Sequence, residues 1–324
     1  MAFSITNSFM EQFNILFQEM LNQKGSFLMP YTRMEQVVGN SQIIRQFDTG
    51  DATIGELNSS GVTEFSPILY DHRKLEPRPI SKTISLNEID MIRQGQPPVE
   101  QLAATCSQSC GAALDKIIIN GIGGMAKTQS SGDIALPLNQ YICVDTKQYD
   151  NKGAELSGQG LTTQKVSFAV AALRAKYNIP QLVCVCSNRA MGQLMTDERA
   201  ASALFNRTQA MANGFMTPFA GVDFFVTSEK MPKAKAHLCA GGNLITADSS
   251  AAKASNSEVE LAYIYSKDQI VLGCSKEFNL KSAEDAHRNF DLIFQCVGMY
   301  DAVRMQEESV IAIEVNTGSA AITA

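Results

Sequence analysis

The chain carries little charge, and the basic share is the smaller one. Of its 324 residues 19% are charged, with 27 Lys and Arg against 33 Asp and Glu and a formal net charge of −6. A protein that reads or wraps nucleic acid needs a basic patch to displace counterions from phosphates. The balance therefore argues against that class, though not against a protein that merely encloses nucleic acid. Charge below the usual quarter of residues also implies a surface that is neutral or covered by partners. No apolar run approaches the roughly 20 residues of a membrane-spanning helix. The opening MAFSITNSFMEQFNILFQEM contains no Lys or Arg. It thus lacks both the basic flank of a signal peptide and the cationic face of a membrane-surface helix.

Signatures of chemistry are equally sparse. His72, His237 and His287 are far apart, and there is no G-x-S-x-G, H-E-x-x-H or paired-carboxylate motif. The eight cysteines include no C-x-x-C. Cys106 and Cys110 are four apart in a helical pattern, and Cys184 and Cys186 two apart in a strand-like run, so each pair shares a face. Zinc wants four ligands and no histidine lies nearby, so these are read as buried, reduced thiols of a cytosolic folding compartment. Asp197-Glu198 in MTDERAAS reads as a solvated turn, and Asp115-Lys116 as a surface pair of little energetic consequence. No catalytic, cofactor-binding or metal-ligating residue is assigned, and the chain is read as non-enzymatic. Triad members need not be adjacent in sequence, so a soluble two-domain α/β enzyme stays open as an alternative.

One stretch does resemble a nucleotide site. GIGGMAKT, residues 121–128, matches the phosphate-loop pattern except that Ala126 stands where the last glycine belongs. A phosphate loop follows a strand and opens a helix, which turns the positive end of the helix dipole toward the phosphates. Here the glycines follow a long helix instead. Val99, Leu102, Cys106, Cys110, Ala113 and Ile117 recur at steps of three or four. Pro97 and Pro98 start that helix, and Asn120-Gly121 is expected to stop it with Gly121 as a left-handed cap. The helix over 97–121 is about 36 Å long. Its negative end repels phosphate, so the stretch reads as a cap and a turn into the strand IALPLNQYICV.

The rest of the chain is read in order. Phe9, Phe13, Leu16, Phe17 and Met20 predict a short amphipathic helix within an arm of residues 1–40. Residues 41–86 show only short extended runs, with a turn signal at Asn58-Ser59-Ser60-Gly61. That predicts a two-stranded ribbon, which is marginal in water alone and needs a surface to lie on. From residue 161 the pattern is α/β. A helix is capped by Thr162 or Thr163 and carries Val166, Val170, Leu173 and Tyr177 on one stripe; the strand QLVCVC follows, with Ser187 or Asn188 capping the next helix. GVDFFVTS and HLCA are further strands, NLITADSSAAKASNSE is a loop or weak helix, and two strands flank Lys267-Asp268. Phe290, Leu292, Phe294 and Cys296 alternate as a strand that Gly298 interrupts, and Val310, Ile311, Ile313 and Val315 form the last strand. The α/β block is thus inserted between two halves of one domain.

This order of parts resembles the major capsid proteins of tailed bacteriophages, whose fold encapsulins share. CGAALDKIIINGIGGMA is similar to the end of that family's spine helix, GFMTPFAGVDFFVTSEKMP to a segment of its inserted domain, and VGMYDAVRMQEESVIAIEV to its closing segment. The resemblance covers residues 40–316 and implies an α+β capsid fold. Residues 1–40 are then an N-terminal arm and 41–86 an extended loop, both reaching a neighbouring subunit. Residues 87–160 begin a peripheral domain with its spine helix at 97–121, 161–275 form an axial domain, 276–316 complete the peripheral domain, and 317–324 are a tail. The expected contacts between subunits are Phe9, Phe13, Arg73, Lys74, Glu76, Arg78, Asp115, Lys116 and Arg304. The resemblance further implies self-assembly into hexamers and pentamers of an icosahedral head around double-stranded DNA, held without sequence-specific contacts. The location is the virion, after assembly in the host cytoplasm. Portal and scaffolding proteins are the expected partners, a decoration protein is an optional one, and neither a cofactor nor a membrane is involved. Only a short arm precedes the ribbon, so a scaffold is expected to be separate or already removed. An acidic chain suits a container whose cargo must leave again. An encapsulin-type nanocompartment shell is the alternative within the same fold.

Overall fold

A computed structural model describes residues 12–21, 25–48, 69–86, 99–129, 132–144, 146, 148–149, 155–156, 160–176, 181–197, 211–212, 215–216, 220–227, 230–233, 237–239, 247–252, 259–285, 287 and 291–318. Helix α1 covers 12–21. Then come β1 (Arg33–Gln36), β2 (Gln42–Asp48), β3 (Leu69–Leu75), β4 (Arg78–Leu86) and the long helix α2 (Val99–Gly123). The short strands β5 (Tyr141–Ile142), β6 (Gln148–Tyr149) and β7 (Glu155–Leu156) lead to α3 (Thr163–Lys176), β8 (Leu182–Ser187) and α4 (Asn188–Thr196). Next are β9 (Met211–Ala212), β10 (Phe215–Met216), β11 (Val222–Thr227), β12 (His237–Cys239) and β13 (Ala247–Ala252). The chain finishes with β14 (Val259–Ser266), β15 (Ile270–Asp285), β16 (Asp291–Arg304) and β17 (Val310–Asn316). The architecture is α+β.

Two sheets share α2 as common packing. One has the order β1-β15-β16-β4, the other β11-β8-β14-β17-β5. On β16 the alternate residues Leu292, Phe294, Cys296, Tyr300 and Ala302 are buried in one cluster with Cys106, Cys110, Leu114, Ile118 and Ile122 of α2. In the second sheet the period of two divides each strand between two cores. Val183 and Val185 join the α2 cluster, while Leu182, Cys184 and Cys186 join Val166, Val170 and Leu173 of α3 and Leu194 of α4. The shared face predicted for Cys184 and Cys186 is thus the one turned to α3 and α4.

The closing strand departs from expectation. β17 pairs with β14 over seven positions and with β5, so it lies in the five-stranded sheet rather than completing the other one. Its residues read apolar on both faces: Val310 and Ala312 meet the α2 cluster, and Ile311, Ile313 and Val315 meet the α3 and α4 cluster. That is the pattern of a central strand covered on both sides. The segment 247–252, expected in a loop or weak helix, is β13 and pairs with β12. Of IALPLNQYICV only Tyr141–Ile142 pairs as a strand.

The glycines are placed for space. α2 continues through Gly121, which is not in the left-handed region, so the predicted cap is absent there. A Cβ on Gly121 would come 2.6 Å from the carbonyl oxygen of Ala302, so glycine lets α2 approach β16. Gly121→Val should cost about 2 kcal/mol or more, because β16 backbone cannot yield to the added methyls; a lowered urea midpoint at unchanged slope checks this. Gly298 does not interrupt β16, which stays paired there with Ile80. The irregularity lies in β15, between Cys274 and Asn279, and a Cβ on Gly298 would come 2.7 Å from the Phe278 ring.

The helix ends follow capping rules. Ser187 accepts from Ala190 N at 3.3 Å at the start of α4. Thr162 is the N-cap of α3, its carbonyl accepting from Val166 N at 3.2 Å. Asp197 is not the solvated turn expected: it is buried, and its Oδ2 accepts from Thr163 N at 2.9 Å and Thr163 Oγ1 at 2.7 Å. A carboxylate there satisfies orphan donors at the positive end of the dipole. Asp197→Ala should cost about 1–2 kcal/mol, and Asp197→Asn should lose less, as read from thermal midpoints.

Candidate functional site

β2 and β3 pair antiparallel from Gln42 opposite Leu75 to Asp48 opposite Leu69, which makes the predicted ribbon. This register is symmetric about positions 58 and 59. The predicted turn at Asn58–Gly61 contains that point and lies outside the described residues. β4 does not continue the ribbon; it pairs with β16 in the four-stranded sheet. The ribbon therefore leaves the body at Glu76-Pro77, beside the end of α2.

The stretch that resembled a phosphate loop holds this exit. Ala126 and Ile134 exchange both backbone hydrogen bonds at 2.8 Å, which closes a loop after α2. Thr128 bridges Arg73, and Lys74 N donates to Lys127 O at 2.9 Å. Glu76 N donates to Asp301 Oδ2 of β16 at 2.8 Å. Lys127 Nζ lies 2.6 Å from Glu76 Oε2, and Lys74 Nζ 2.6 Å from Glu76 Oε1. The lysine that would have met phosphate is committed to this carboxylate.

Behind this clasp lies a buried ion cluster. Arg73 and Arg304 are both fully buried. Arg73 Nη2 donates to Glu307 Oε1 at 2.8 Å and Oε2 at 2.9 Å. Arg304 donates from Nη1 to the carbonyls of Gly124 and Ile122 and from Nη2 to that of Ile134, the last at 2.6 Å. A guanidinium thus occupies the negative end of the α2 dipole and satisfies carbonyls that the helix leaves free. Arg304 Nε is also 3.9 Å from Glu307 Oε1, so one carboxylate serves two guanidiniums. Burial draws the pKa of Arg304 below its ordinary value and Glu307 opposes the shift; an arginine remains charged regardless.

Glu76 gives this site a pH dependence. Its hydrogen bond from Lys127, and then that from Lys74, hold its carboxyl down at about 2. A depressed carboxyl stabilises the folded form above its ordinary pKa of 4.5, and this support is lost as pH falls from there toward about 2. Glu76→Gln should therefore lower stability at neutral pH, by at most about 1 kcal/mol for so exposed a pair, and converge with the parent as pH falls through those values, which flattens the acid limb. Denaturant melts of both proteins across pH check this.

The remaining expected contact residues fall elsewhere. Phe13 is not at an outer contact: with Phe17 it is buried in this chain's own core, its ring 4.4 Å from that of Phe294. Asp115 is not a surface pair either. It is buried and accepts from Ser26 Oγ, from Leu28 N at 3.1 Å and from Phe27 N at 3.4 Å, which fastens the leading segment to α2. β1 adds that segment to the sheet, parallel to β15. Residues 12–21 and 25–36 thus lie largely on their own subunit, where an arm reaching a neighbour was expected. Lys116 and Arg78 are exposed. Phe9 lies outside the described residues. Lys127, Asp301 and Glu307 complete the exit site without having been expected there. The only sequence signal was the acidic pair Glu307-Glu308 three residues after Arg304.

The arrangement fixes the direction in which the ribbon leaves the body. Among the described residues no group of three His, Cys, Asp or Glu could hold a metal. No curated protein matches the sequence. The fold is similar to the capsid of Cyanophage P-SCSP1u, at TM-score 0.60 and 11% identity over 90% of this chain and 88% of that one. It is also similar to the capsid of Ralstonia phage GP4, at TM-score 0.59 and 9% identity over 90% and 91%. A virus-like particle from Pyrococcus furiosus gives TM-score 0.54 at 9% identity over 94% and 98%. At such identities the likeness is one of fold. The sequence itself matches the phage capsid protein family over residues 5–316. By that match the chain belongs to the phage capsid protein family and is a structural protein of the shell.

Proposed function

We propose that the chain is a major capsid protein whose copies form hexamers and pentamers of an icosahedral phage head around double-stranded DNA. The observation that carries this reading is the ribbon β2–β3. It pairs with itself and leaves the body at a clasp of backbone bonds and ion pairs. A two-stranded ribbon is marginal alone, and fixing its root aims it at a surface that another copy supplies. Exposed apolar side chains near this end of the molecule support the same reading. Val38 is 83% exposed just before β2, and Met125 is 63% exposed just after α2. Such residues gain by burial against a neighbour. Heterologous contacts of this kind generate rings when the rotation closes.

In this reading the sheet built on β15 and β16 and the α/β block centred on β8 and β14 serve as peripheral and axial domains. Exposed Arg78 and Lys116 are available to neighbours, whereas Arg73, Lys74, Glu76 and Arg304 set the root of the ribbon. The head assembles in the host cytoplasm with portal and scaffolding proteins, and a decoration protein can bind the finished surface. The acidic chain holds its DNA without reading it. The chain has no catalytic role.

Negative-stain microscopy with size-exclusion chromatography of the purified protein tests this directly. Closed shells containing rings of five and six are expected. A stable monomer under all assembly conditions would defeat the proposal. The likeness to a virus-like particle gives a second reading, a shell around protein cargo. Nuclease-protected DNA recovered from particles made during infection favours the first reading, and a copurifying protein cargo without DNA favours the second.

A further inference from the structure

Two cysteines that the shell reading leaves without a role meet across the α2–β16 contact. Cys110 of α2 and Cys296 of β16 are 186 positions apart in sequence, and their sulfurs are 3.4 Å apart in hydrogen-bond contact. Both are buried, as is Cys106 one turn earlier in the same cluster. A disulfide has sulfurs about 2.05 Å apart, so this pair sits within reach of bond formation while still being two thiols.

We propose that Cys110 and Cys296 are an oxidation site, converted by hydrogen peroxide or another small peroxide into a disulfide that ties α2 to β16. In the first step the Cys110 sulfur attacks one peroxide oxygen. The O–O bond breaks, the leaving hydroxide takes up the Cys110 proton as water, and Cys110 becomes a sulfenic acid. In the second step the Cys296 sulfur attacks the Cys110 sulfur. The S–O bond breaks, and hydroxide leaves as water with the Cys296 proton. The two sulfurs lose two electrons in all, and the peroxide gains them.

The surroundings assign the order. The hydrogen-bond contact with Cys296 holds Cys110 below the ordinary thiol range, and Lys82 of β4 adds to this. Cys296 is pushed up by Cys110 and by burial, which suits it to the second step. Cys106 is pushed up to about 11 by burial, which keeps it a thiol. A reducing cytosol would keep the pair open, and an oxidising medium outside the cell would close it. The bond would then form in a finished particle after release. It closes a long loop, where constraint of the unfolded chain is greatest.

The test uses the full chain, treated with hydrogen peroxide, blocked with N-ethylmaleimide and digested without reduction. A peptide pair joined through Cys110 and Cys296 is expected in mass spectra. The thermal midpoint should rise by roughly 5 °C and return on addition of dithiothreitol. In Cys296→Ser the first step should run alone, leaving a Cys110 sulfenic acid that dimedone traps. Both thiols recovered intact after peroxide, or Cys110 joined to Cys106 instead, would overturn the proposal. So would a Cys296→Ser protein whose Cys110 takes up no dimedone while its circular dichroism matches that of the parent.

Discussion

Replacing residues 49–68 by Asn-Gly should give a subunit that folds and builds no shells. Asp48 and Leu69 are directly opposite each other in the ribbon, and a two-residue Asn-Gly link is the turn that closes such a pair with the right twist. The shortened hairpin keeps its clasp at Glu76, Lys127 and Arg73, and it removes nothing from the buried clusters. Its far-UV circular dichroism and denaturant midpoint should therefore match those of the parent. Particle yield by sedimentation and microscopy should fall below detection, because the ribbon can no longer span to a second copy. Normal shells from this variant would show that the ribbon is not an assembly element, whatever else the protein does.

The second large effect is expected at Glu307. Removing one partner of a buried ion pair leaves the other charged and unsolvated, at a cost of about 3–5 kcal/mol. Glu307→Ala would remove the carboxylate that Arg73 and Arg304 share, and both guanidiniums are fully buried. That is a large part of the 5–15 kcal/mol a typical domain has in hand. Urea unfolding should show the loss, and adding Arg73→Met should recover part of it, because one of the two buried charges that shared the carboxylate is then gone. The contrast is Glu76 with Lys127, whose side chains are 37% and 26% exposed. Solvent screens that pair, and its loss should cost at most about 1 kcal/mol. A Glu307→Ala protein as stable as the parent would mean that water reaches the cluster.

What the sequence revealed follows from how local each signal is. The α2 stripe, the alternation in β16 and the two-sided apolar run of QLVCVC are periodic over many residues, and the structure bears them out. The ribbon was legible from its composition at its start but not at its far end, because residues 78–86 share that composition and yet pair with β16 as β4. The role of Gly121 was not, since a glycine in a helix-ending context has two explanations, backbone freedom and close approach, and only the position of Ala302 decides between them. Asp197 and Asp115 were misread for a similar reason. Each looks like surface charge by its neighbours in sequence, but each is claimed by a segment far away in the chain, Thr163 and residues 26–28 respectively. The clasp was hidden because its members come from three separate stretches. Its one visible fragment, Lys127-Thr128, looked unusual for a reason unrelated to its work.

The position of β17 has a consequence for timing during synthesis. β14 and β5 flank a gap in their sheet that only residues 310–316 fill. While the ribosome still holds those residues, a nascent chain has its ribbon exposed but no completed α/β core behind it. Polysomes carry many such chains at high local concentration, where premature association would trap incomplete subunits. Delaying the keystone strand couples completion of the α/β core to the synthesis of residues 310–316.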